Sequence, residues 1–161
     1  MEQDELLKRL KEEFELVRKE LKFKATFDEL NNTFFLQDTV LQQGFTSPRL
    51  SRQICGRIAD LFWSWNNFLH SLIMPNPSSM INMTESQEFG EQEKKEIIRL
   101  MTRVMAHVSA NSIAGLTKDK KLEAKFIDDS VALWNELSPK LTELSKKLNT
   151  MWTERAQVKN A

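Results

Sequence analysis

Two histidines and one cysteine are the side chains of this sequence best suited to nucleophilic or metal chemistry, and their surroundings in the sequence arm none of them. His70 and His107 have no adjacent Ser, Cys or acid pair arranged as a nucleophile with its base, so both are expected at a boundary or on the surface. Cys55 lacks the spaced Cys and His partners of a zinc site, and no Glu-x-x-His pair of the di-iron kind occurs. Gly44, Gly56, Gly90 and Gly115 are isolated, outside any glycine-rich loop that cradles phosphate. Met74, Met80 and Met83 carry soft thioethers, but their spacing is irregular and they are expected to pack flexibly over the end of a bundle. No cofactor and no metal is expected.

Charge offers a second kind of chemistry. Lys and Arg number 23 and so do Asp and Glu, giving a formal net charge of zero. The balance is uneven along the chain, because residues 91–161 hold thirteen basic and ten acidic side chains. Lys118, Lys120, Lys121 and Lys125, with Arg99, Arg103 and His107, are therefore candidates for contacting phosphates, as a subunit of a nucleoprotein complex would. Arg103 and His107 stand four apart, adjacent on a helix surface. Asp119, Glu123, Asp128 and Asp129 are interleaved with the lysines, which is also the pattern of an ordinary solvated helix face.

The elements that must hold these residues are helical. Only four Gly and four Pro in 161 residues leave little turn chemistry for a sheet protein, and a lone Cys excludes a disulfide framework. Leu7, Leu10, Phe14, Val17 and Leu21 form one narrow stripe and predict an amphipathic helix within 1–24. Thr26 and Glu29 make a capping-box pattern, which with Gly44 as a left-handed stop predicts a helix over 27–43. Ser47-Pro48 opens a third helix near 48–74, whose apolar arc is wide enough to mark it as central. A loop is expected over 75–90, then a helix over 91–114 with Gly115 as its C′ residue. From 119 to 157 the apolar phase runs unbroken through Pro139, as either one kinked helix or two. A single helix of that length would overhang a compact domain and need cover, either from the first helix or from a second copy of the chain.

Trp63 breaks the pattern of the central helix. It lies opposite Ile54, on a back face shared with Gly56, Ala59, Asn66 and His70. Such a face is either sandwiched within the bundle or anchors a partner. The chain is thus expected to be a single all-α domain, 1–161, built as a bundle of about five mostly antiparallel helices. The expected function is that of a non-enzymatic interaction or scaffold protein, a homodimer or the partner of another helical protein, with an interhelical apolar ligand pocket as a further alternative. The acidic start carries no export signal and the longest apolar stretch is interrupted by polar residues, so a cytoplasmic location and no membrane partner are expected.

Overall fold

A computed structural model describes residues 2–158, and every regular element among them is a helix: α1 (Glu2–Leu21), α2 (Phe27–Phe34), α3 (Leu36–Gln43), α4 (Leu50–Ile73), α5 (Met80–Gln87), α6 (Glu91–Thr117) and α7 (Lys120–Val158). The all-α bundle is as the periodicity implies, with seven helices in place of about five. Met1 lies outside the described residues, so the helix expected within 1–24 is seen from Glu2 onward.

The two additional helices have local causes. The capping box at Thr26 and Glu29 is present, and Gly44 ends α3 in the left-handed conformation with φ of 79°. Between them Phe35 is itself left-handed, φ 57° and ψ 47°, and splits the expected 27–43 helix in two. That conformation costs a non-glycine residue roughly 1 kcal/mol or more. In return Phe34 and Leu36 are both buried, which two residues 200° apart on one continuous helix cannot achieve on the same face. The Asn31 side chain accepts from the Gln37 amide at 2.8 Å, and Arg57 donates to the Phe34 carbonyl at 2.8 Å, so the break is hydrogen-bonded. The expected 75–90 loop contains α5, capped by Ser79 and pinned by Ser86, whose hydroxyl donates to the Leu72 carbonyl at 2.7 Å. Met74 and Met80 are exposed rather than packed over the bundle end.

The packing falls into two compact units interleaved in sequence. One comprises residues 2–63 with 105–132, the other residues 64–104 with 133–158, and α4, α6 and α7 each contribute to both. In the first unit Phe14 is fully buried and meets Phe23 and Phe27 edge-on, with centroids at 5.6 and 5.4 Å. Leu30, Phe34, Ile54, Ile58, Phe62 and Ile127 complete that core. Asp128 of α7 accepts from the backbone amides of Lys24 and Ala25 at 2.9 Å, so its charge holds the turn after α1. The second unit buries Leu69, Leu72, Ile97, Leu137, Leu141 and Leu148. There Lys147 bridges Glu93 at 2.8 Å and lies 5.0 Å from the Phe89 ring centre, and its bond to Glu93 holds that carboxyl below the usual carboxylate range.

Pro139 sits inside α7, which continues as one helix of 39 residues, about 58 Å at 1.5 Å per residue. Its stripe does not await a second copy. Phe126 and Ile127 are buried in the first unit, and Leu137, Leu141, Leu148 and Met151 in the second. Gly115 is not a C′ residue, since α6 runs on to Thr117 and Lys118 takes the left-handed turn with φ of 54°. A Cβ at 115 would stand 2.8 Å from the Arg52 guanidinium, so this glycine makes room for that side chain.

Candidate functional site

Folding creates two polar constellations that the sequence spacing does not reveal. The first joins His107 of α6 to Ser130 of α7, 23 residues apart, with Nε2 and Oγ at 2.6 Å. Ser130 is fully buried and donates its one proton to the Phe126 carbonyl, also at 2.6 Å. With that proton given to the carbonyl, the Ser130 oxygen is left to accept from Nε2, so the proton of this contact lies on the ring nitrogen. A nucleophile and base pair needs the opposite polarity, with the ring accepting the hydroxyl proton. The ring also stacks on Phe126 at 4.3 Å and takes Phe62 edge-on at 5.1 Å. This is a structural histidine in an aromatic slot.

Burial is the main reason that the His107 pKa falls from 6.5 to about 4; Asp129 opposes the shift and Lys125 adds to it. The folded chain thus binds fewer protons than the unfolded chain between those two values. Stability present above pH 6.5 is lost progressively as pH falls toward 4, by roughly 1–2 kcal/mol once the part-exposure of the ring is discounted. Urea denaturation at pH 7 and near pH 4.5 measures the loss. His107→Gln, which can still donate to Ser130, is expected to shrink it; an unchanged pH dependence in that variant would assign the loss to other groups.

The second constellation centres on Glu123 of α7, which is only 1 % exposed rather than part of a solvated face. Its carboxylate accepts from the Ser51 hydroxyl at 2.7 Å, pairs with Lys120 at 3.3 Å and lies 3.6 Å from Arg52. The Cys55 thiol sits beside the same turn, 3.9 Å from the Glu123 carbonyl, and burial pushes its pKa up to about 12, which leaves it protonated and unreactive. Periodicity held the signal for Glu123, because it falls three and four residues before the buried Phe126 and Ile127.

The expected phosphate contacts are not brought together as one face. Arg99 pairs with Glu96, Arg103 with Glu136 at 2.5 Å, and Lys125 with Asp129 at 2.5 Å. Lys120 is committed to Glu123, and His107 is neutral. Lys118 and Lys121 are exposed, and among the described residues no acidic side chain pairs with either. No family model, curated protein or solved structure matches this chain.

On α4 the four interface candidates separate. Trp63 is 47 % exposed and His70 is exposed, whereas Ala59 is buried. A Cβ added at Gly56 would meet nothing within 4 Å. Gly56 and Trp63 are seven residues apart, two turns, and so lie on one line of the helix surface, with His70 seven further on. Close approach to this face is therefore found at Ala59 and not at Gly56. In the second unit an open groove of about 380 Å³ has Trp65, Trp134 and Leu141 among its lining with Ser138, Thr142 and Ser145. In the first unit Leu10, Leu36, Val40 and Ile54 close on about 10 Å³, hardly enough for one water molecule. Among the described residues no group of His, Cys, Asp and Glu is placed to hold a metal, and no helix is long and apolar enough to cross a membrane.

Proposed function

We propose that this chain is a non-enzymatic helical interaction protein that self-associates through the outer face of α4. The observation that carries this is the half-exposed indole of Trp63 two turns from a glycine over open space. A projecting ring and a gap on one line of a helix are self-complementary when two copies meet antiparallel, since each indole then sits over Gly56 of the other. The zero net charge adds no long-range repulsion between copies. Asp60, exposed beside the line, is the charge that such a pairing must accommodate.

Light scattering and sedimentation over a range of concentrations test the proposal. Trp63→Ala is expected to weaken self-association by tenfold or more, as removal of a central interface tryptophan does. Gly56→Leu, which fills the gap, is expected to do the same. Gly56→Leu should leave the thermal midpoint of the monomer close to that of the parent, because a Cβ there meets nothing within 4 Å, and Trp63→Ala should lower it only by the contribution of a half-buried ring. A monomer mass independent of concentration in the unmodified chain would defeat the proposal, as would a large stability loss in Trp63→Ala with no change of mass.

A further inference from the structure

A different surface, at one end of the first unit, carries a second inference that does not rest on the α4 face. Three segments distant in sequence meet there. The Gln53 side chain donates to Gln43 at 2.6 Å and accepts from the Ser47 amide at 3.4 Å, which ties the α3–α4 connection to the first turn of α4. Lys120 donates to Ser51 at 3.2 Å, and Arg52 lies over Gly115, which ties that same turn to the α6–α7 hairpin. Large apolar side chains stand in water at this end: Leu116 is 85 % exposed, Phe45 59 % and Ile113 54 %.

Charge is concentrated with them. Arg49, Arg52, Lys118, Lys120 and Lys121 lie in these segments, against Asp119 and the buried Glu123. Asp119 caps α7, accepting from the Lys121 and Leu122 amides at 2.9 and 3.3 Å. Glu123 is committed to Ser51, Lys120 and Arg52. In a chain of zero net charge, the solvent at this tip therefore sees a basic surface studded with apolar groups.

We infer that this tip docks on an anionic lipid surface, with Leu116, Ile113 and Phe45 entering the interface and Arg49, Lys118 and Lys121 over the headgroups. Both halves of the surface are used in that setting. Basic side chains are attracted by the negative potential of acidic headgroups, and apolar side chains gain by leaving water at the same boundary. Nucleic acid rewards only the charges, because a phosphate backbone gives no return for burying leucine or isoleucine. Docking of this kind needs no membrane-spanning helix.

Co-sedimentation of the full chain with vesicles tests the inference. Vesicles of phosphatidylcholine with about 30 mol% phosphatidylserine should retain the protein, pure phosphatidylcholine should retain far less, and raising salt from about 0.1 to 0.5 M should release it. Lys118→Glu with Lys121→Glu is expected to cut binding by tenfold or more, each lysine being worth about fivefold. Leu116→Ser is expected to cut it by about tenfold through lost apolar burial. All three positions are exposed, so the circular dichroism and thermal midpoint of these variants should match the parent. Equal binding to neutral and anionic vesicles, or no binding to either, overturns the inference. So does full binding by Leu116→Ser. Capture of a mixed-sequence oligonucleotide without capture of anionic vesicles also overturns it and assigns the basic tip to nucleic acid.

Discussion

Phe62→Ala is expected to lower stability by about 4 kcal/mol, the larger of the two greatest effects foreseen for a single substitution. Phe62 is fully buried, tilted against Phe34 with centroids 5.9 Å apart and edge-on to His107 at 5.1 Å. Truncation removes the transfer free energy of the ring and leaves a cavity where α2, α4 and α6 have little freedom to collapse. It also opens one wall of the imidazole slot. Because burial is the main cause that holds His107 near a pKa of 4, its titration should move up toward 6.5 in the same variant. Urea denaturation reads the first effect and the imidazole proton resonances read the second. A loss under about 1.5 kcal/mol would mean that Phe62 is not the keystone of this core.

Glu123→Ala comes next, with an expected loss of about 3 kcal/mol. The carboxylate is buried with Ser51, Lys120 and Arg52, and its removal strands their donors in a site with little water. Lys120 is largely exposed and can turn outward, whereas Arg52 is held over Gly115 and has less room to escape. The loss therefore belongs near the lower end of what breaking a buried ion pair costs. Glu123→Gln should lose less, since an amide oxygen still accepts from Ser51. Thermal and urea melts of the two variants decide the matter: equal losses would show that the hydrogen bond from Ser51 contributes nothing beyond the charge, and an unchanged midpoint in Glu123→Ala would remove the constellation from the account of stability.

Where the polar groups sit was partly legible before folding. The phase of Glu123 against Phe126 and Ile127 puts a carboxylate on the buried side of α7, although the interleaved lysines mask it as surface. Trp63 and Gly56 were legible as an anomaly on one line of α4. The His107–Ser130 pair was not, because nothing local to either residue refers to the other across 23 positions. Nor was the bond from Asp128 to the amides of Lys24 and Ala25, more than a hundred residues away.

By itself the sequence determines that this chain is helical and where most helices begin and end. Apolar spacing, the Thr26–Glu29 box, the stop at Gly44 and the start after Ser47-Pro48 act through contacts within about four residues, which any stretch of helix makes regardless of what it later packs against. Only the tertiary structure decides the left-handed break at Phe35, the use of Gly115 as a berth for Arg52, and the continuation of α7 through Pro139 as one helix with buried residues on either side of it. Each of these is set by long-range packing, whose free energy outweighs local preference where burying both Phe34 and Leu36, or keeping an apolar stripe covered, is worth more than the roughly 1–3 kcal/mol of a strained residue or an interior proline.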